Sequence, residues 1–352
     1  MLRSCMPENN RLYAYDIVRV VAMTFVVAVH SLVALDTSSH PMFLLFAACQ
    51  VVFFTANALF FMLSGKFNLR ERKDDAGLKQ YYLKRFRGFM IPIIILFLIR
   101  TIYNLYPHFG SIANIGKEYV KNSLGAFSSM EYWFVFTLFG FLIVAPFIAP
   151  IFSRMTAFSK KVFLGIGLGY NLLTIIAQNL GLDFSWGYLF SGFALAFFLG
   201  AFIEDLFTSP KSRKILYVAS IASVVITVWM HQEGLTQGIH DISPFYTILA
   251  IGIYIFLLNA FKSAKPSRVV SFIAEHSFSV YLVHMMFLLP IQSILPPLTG
   301  IATIPLYLAV VAAVLALSLL CAIVIDALLI KPTQKLFDRV TGTIRNRGKK
   351  ES

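Results

Sequence analysis

Apolar runs of about twenty residues recur along this chain, each long enough to cross the ~30 Å hydrocarbon core of a bilayer as a helix. Backbone in lipid must satisfy its own hydrogen bonds, which leaves helices as the economical way to bury such runs. They fall at 15–35, 42–65, 88–107, 131–152, 161–181, 185–205, 214–231, 243–261, 269–290 and 300–330. Composition agrees, because 58% of the 352 residues are hydrophobic and only 13% are charged, too few to coat a soluble globule. The expected fold class is all-α: an integral membrane bundle of about ten transmembrane helices, read as one domain over 1–352. The bundle occupies about 15–330, and 331–352 forms a basic cytoplasmic tail. The longest non-apolar stretches, 66–87, 108–130 and the tail, leave no room for a soluble domain.

Basic residues set the expected orientation, since Lys and Arg are retained on the cytoplasmic side during insertion. Of 30 Lys and Arg, all but Arg19, Arg100, Lys117 and Lys121 lie at the termini or in the loops after runs two, four, six and eight. Both termini are therefore expected inside. The +13 net charge is mainly a topology signal, so nucleic acid is not an expected partner. Cys5, Cys49 and Cys321 lie far apart without ligand spacing, so neither a disulfide framework nor a metal site is expected. The first run lacks an A-x-A-like exit and is expected to remain as a helix.

That first run, YDIVRVVAMTFVVAVHSLVAL, carries Asp16, Arg19 and His30. An ionisable group near the middle of a span costs at least ~2.5 kcal/mol on insertion scales, so its presence points to a polar cavity. The eleven-residue step from Arg19 to His30 turns about 1100°, roughly 20° from three full turns. Asp16, Arg19, Met23, Val26 and His30 thus form one stripe with polar groups at both ends.

Four patches resemble the polytopic bacterial O-acyltransferases of acyltransferase family 3. YDIVRVVAMTFVVAVHS at 15–31 is similar to the family opening of an acidic residue, Arg, ten residues and His. LFFMLSGKF at 59–67 resembles the FF-x-x-SG segment that closes the second helix. YYLKRFRGFMIP at 81–92 resembles a basic run leading to Pro, and EHSFSVYLVHMMFL at 275–288 resembles the late S-x-x-x-YL-x-H signature. The third patch departs from the family: Arg85 is followed three positions later by Gly88, with Arg87 offset by one. EYWF at 131–134 has Glu131 where a family segment often starts with His.

The resemblance implies transfer of an acetyl or other short acyl group from cytoplasmic acyl-CoA to a hydroxyl of an extracytoplasmic glycan or lipid-linked saccharide, in the bacterial inner membrane. Acyl-CoA is expected as a co-substrate, with no tightly bound cofactor. Neutral imidazole has a pKa suited to removing a hydroxyl proton, which makes His30 the candidate base or, alternatively, a transiently acylated relay. Arg19, about 16 Å nearer the cytoplasm, suits phosphate, with Asp16 to orient it. An Asp16–Arg19 pair snorkelling at the inner surface is an equally open reading. On the inner side, Lys84, Arg85 and Arg87, with Ser64, are the candidate donor contacts, Arg85 first. Orientation and attraction to anionic lipid account for most other charges of that patch. His284, Tyr281, Arg100 and Glu131 are expected at the outer level as acceptor contacts. Gly165, Gly167 and Gly169 are read as helix packing rather than a nucleotide loop. The competing function is an exporter or flippase of a glycan or lipid-linked sugar, which would also want polar groups in a cavity.

Overall fold

A computed structural model describes residues 8–32, 40–106, 111–124, 132–182, 193–235, 243–295, 301 and 303–342, and no strand occurs among them. Their helices are α1 (Glu8–Leu32), α2 (His40–Phe54), α3 (Ala56–Asn68), α4 (Asp75–Arg85), α5 (Ile91–Leu105), α6 (Ile112–Leu124), α7 (Trp133–Ser153) and α8 (Ala157–Asn179). They continue with α9 (Ala194–Gly200), α10 (Ile203–Leu206), α11 (Pro210–Gln232), α12 (Pro244–Ala260), α13 (Arg268–Ile294), α14 (Thr303–Ile325) and α15 (Lys331–Val340). Two π-helical turns, Phe86–Met90 and Asp326–Ile330, join α4 to α5 and α14 to α15. Among the described residues, eight helical runs are long and apolar enough to span a membrane, so the chain is a multi-pass helical membrane protein.

The span count differs in detail from the ten expected. The run at 243–261 folds as the shorter helix Pro244–Ala260. The run at 185–205 lies partly outside the described residues, and the rest forms α9 and α10, separated at Ala201 and Phe202. The stretch 66–87, expected as a loop, is helical from Asp75 onward and continuous with the third span, giving 31 residues from Asp75 to Leu105. Asp74 starts it by accepting a hydrogen bond from the Gly77 N–H at 2.7 Å, which satisfies one of the exposed donors of the first turn. The stretch 108–130 includes α6, and the last span runs unbroken from Thr303 to Val340.

Helix entries are legible in local chemistry. Ser209 and Ser243 each precede a proline at the first helical position and accept backbone N–H bonds from Ser212 at 3.0 Å and Tyr246 at 2.9 Å. Thr156 caps α8 in the same way through Ser159 at 3.1 Å.

The chain forms two compact units. The first is Met1–Glu71, Val144–Glu275 and Leu295–Val311; the second is Arg72–Ile143, His276–Ile294 and Ala312–Ser352. Within the first, α3 crosses α9 at near-backbone contact. A Cβ on Gly65 would lie 1.8 Å from the Phe197 carbonyl oxygen, and one on Gly200 would lie 2.0 Å from that of Met62. Small residues permit this approach in membrane helices, where packing drives association. Of the three glycines in α8, Gly167 alone faces a neighbour, Leu195, while Gly165 and Gly169 have open space.

Candidate active site

Helix α1 is unbroken from Glu8 to Leu32, so Arg19 and His30 lie on one face about 16 Å apart along the axis. Between them, Met23 and Val26 are buried at 4% and 3% exposure. His30 is half-buried, and Arg19 retains 36% side-chain exposure. The stripe is therefore partly exposed at its two polar ends and packed shut at its middle.

At the lower end, Arg19 donates through Nη1 to Asp16 Oδ1 at 2.7 Å, and Ser271 Oγ donates to Asp16 Oδ2 at 3.2 Å. Asp16 is thus fixed on both oxygens. The Arg19 guanidinium also lies 5.4 Å from the ring centre of Phe67, and that of Arg70 lies 5.5 Å from the same ring. Two cations beside one π-system gain from its quadrupole, which partly offsets their mutual repulsion. Tyr15 meets Phe67 edge-on at 5.1 Å and donates through its hydroxyl to Glu204 at 2.9 and 3.1 Å. Lys66 Nζ at 2.9 Å and the Tyr254 hydroxyl at 3.2 Å also reach that carboxylate.

Sequence reasoning missed Glu204, Tyr15, Lys66, Tyr254, Phe67 and Arg70 as one constellation. The available signal was an acidic residue at the end of the apolar run 185–205; its partners lie up to 189 residues away. Ser64 contributes its carbonyl to Asn68 Nδ2 at 2.7 Å, and Gly65 beside it is required by the α3–α9 approach.

At the upper end, the turn carrying His30 is held from α14. The Tyr307 hydroxyl donates to the Ala28 carbonyl at 3.0 Å, and Tyr307 packs with Ala28, Leu32, Met42 and Phe46. Ser31 Oγ turns back onto the Val27 carbonyl at 2.8 Å. These contacts fix the helix end from which the imidazole projects.

The second unit gathers the other named residues in two places. His284 is fully buried, and its Nδ1 contacts the Tyr281 carbonyl at 2.5 Å. A carbonyl only accepts, so this hydrogen bond places a proton on Nδ1. Tyr281 lies against Phe134 at 5.1 Å, and the Tyr132 hydroxyl donates to the Leu282 carbonyl at 3.0 Å. Arg100 lies 5.7 Å over Tyr103, whose hydroxyl donates to the Met286 carbonyl at 3.1 Å. Arg100, Tyr281 and His284 are thereby linked to one stretch of α13; Glu131 lies outside the described residues.

The basic third patch divides by partner. Arg87 donates through Nε to Asp338 at 2.9 Å, and Gln334 donates to the Arg87 carbonyl at 3.0 Å. Arg87 therefore anchors α15. Lys84 is exposed, whereas Arg85 lies 5.5 Å from the Tyr81 ring. A further buried group escaped the sequence reading: Asp326 accepts from Ser279 Oγ at 2.9 Å and lies 3.5 Å from His276 Nε2. Among the described residues, no three of His, Cys, Asp and Glu gather as metal ligands.

Over residues 12–323 the chain matches the family model described as an acyltransferase domain, that of acyltransferase family 3. No curated protein and no solved structure matches the chain.

Proposed function

The chain belongs to acyltransferase family 3, and on that premise we propose that this membrane acyltransferase moves an acetyl or similarly short acyl group from acyl-CoA to a hydroxyl of an extracytoplasmic glycan or lipid-linked saccharide. The setting proposed is the bacterial inner membrane. The observation that carries the reading is α1: one unbroken helix that presents a guanidinium at one level and an imidazole three turns above it, each at a partly exposed end of a stripe otherwise packed shut.

Each end suits one substrate. Arg19 and Arg70 flank Phe67, giving a cationic and aromatic surface fit for the phosphates and base of a nucleotide donor. The ion pair with Asp16, itself held by Ser271, fixes the Arg19 guanidinium in one orientation. The donor's thioester supplies the activated acyl carbon. His30 takes the proton of the acceptor hydroxyl as that oxygen attacks the thioester carbon; the C–S bond breaks and the coenzyme A thiolate leaves with that proton, a base role that contributes about 10²–10⁴-fold in comparable cases. Arg100, Tyr281 and His284 remain proposed acceptor contacts. Arg85, Lys84, Ser64 and Arg87 contribute less directly, Arg87 through the docking of α15.

The experiment is glycan mass spectrometry on cells with and without the protein. Loss of one acyl mass from an otherwise intact, exported glycan supports transfer. Loss of the glycan from the surface supports export and contradicts the proposal.

A further inference from the structure

The second unit holds a cavity of about 590 Å³. One wall is a face of α4 and the π-turn that follows: Lys79, Tyr82, Leu83 and Phe86 recur at helical spacing, with Phe89 and Met90 beyond them. The opposite wall is Phe139, Leu142 and Ile143 of α7, and Phe337 of α15 closes one side by stacking on Phe86 at 5.2 Å. Its size falls within the range of ligand sites, and it lies open where Lys79, Phe86 and Ile143 are exposed.

Three observations define what fits. The walls are hydrocarbon almost throughout, and the Tyr82 hydroxyl is already committed to the Ile143 carbonyl at 2.8 Å. An occupant with amides along its length would lose its hydrogen bonds to water and regain none, so the body of the ligand is hydrocarbon. The charged side chains at the cavity, Lys79 and Arg85, are both cationic, and no acidic side chain lines it. The Arg85 Nε is buried and finds no acceptor among the described residues. A buried donor of this kind is costly until an acceptor reaches it.

From Lys79 to Met90 the helical rise is about 16 Å, close to half the ~30 Å hydrocarbon core. The cavity thus runs about the depth of one leaflet, with Lys79 at the end that continues into the basic loop and Arg85 six residues further in. We propose that it is a specific site for one anionic phospholipid of that leaflet, phosphate on Arg85 and Lys79, acyl chain between α4 and α7. The site holds α4, α7 and α15 together around the lipid, independently of the transfer chemistry at α1.

The test uses the full chain, reconstituted in vesicles of equal phosphatidylglycerol and phosphatidylcholine, extracted into detergent and examined by native mass spectrometry. The wild type should retain one phosphatidylglycerol per chain in preference to phosphatidylcholine. Arg85→Gln, which removes the charge, and Ile143→Trp, which fills the tail space, should each lower that retention about tenfold. Lys73→Gln, on an exposed residue outside the cavity, should not. Equal retention of the two lipids by the wild type overturns the proposal, as does undiminished retention in either variant. Should a variant fail to fold, the wild type still decides, because displacement of the retained lipid by coenzyme A assigns the cavity to the donor and also overturns it. Acyl transfer is read separately, so failure of that chemistry leaves this result interpretable.

Discussion

Glu71 shows how the outer contacts of a membrane protein translate into pH dependence. Hydrogen bonds from Ser153 at 2.9 Å and from Arg154 at 3.1 Å, followed by the Arg154 charge, hold its carboxyl below the ordinary carboxylate range. A carboxyl whose folded-state pKa is depressed adds stability that is present above its unfolded value, ~4.3, and is lost as pH falls through the lower folded value. The difference in thermal midpoint between wild type and Glu71→Gln should therefore be constant at neutral pH and shrink to nothing below the ordinary carboxylate range. A difference that grows on acidification would contradict the assignment. At the same scale, the stripe of Asp16, Arg19 and His30 was readable because helical periodicity alone fixes which residues share a face. Its partners were not. Phe67, Ser271 and Tyr307 approach α1 from elements whose positions depend on the whole packing, and no local pattern encodes that approach.

At the scale of elements, hydrophobic length made most spans legible, since a run that must cross lipid advertises itself by composition. What composition could not reveal was continuity and pairing. Polar residues between Asp75 and Arg85 read as a loop, yet the Asp74 cap and the apolar helix that follows carry them into one rod. Arg87, a candidate donor contact in the sequence, also pairs with Asp338, 251 residues away, which no local pattern announces. Glycines divide in the same way. Gly65 and Gly200 sit where α3 and α9 touch backbone to backbone, so Gly65→Ala or Gly200→Ala should cost about 1–3 kcal/mol through overpacking, measured as a lower thermal midpoint in detergent. Gly165→Ala and Gly169→Ala, with nothing within 4 Å, should leave the midpoint unchanged or raise it slightly. Equal effects at the two pairs would mean that helix propensity, not interhelical contact, governs these positions.

For the whole molecule, the bundle and its family were both carried by the sequence, while the division into two compact units was not. Each unit draws on distant parts of the chain, and contact density of that kind has no signature in hydropathy. Three buried or half-buried polar groups, Glu204, Asp326 and His284, mark where these units hold polar chemistry inside an apolar body. Each has polar partners, Tyr15, Tyr254 and Lys66 at Glu204, Ser279 and His276 at Asp326 and the Tyr281 carbonyl at His284, as burial in a medium without water requires. The account nevertheless turns on α1, whose two polar ends carry the proposed donor and acceptor levels of one helix. The most direct measurement is transfer from labelled acyl-CoA to acceptor enclosed in sealed vesicles, comparing wild type with His30→Ala at matched membrane abundance. The account predicts that His30→Ala lowers transfer about a hundredfold or more while the protein remains folded in the membrane; transfer at the wild-type rate would contradict it.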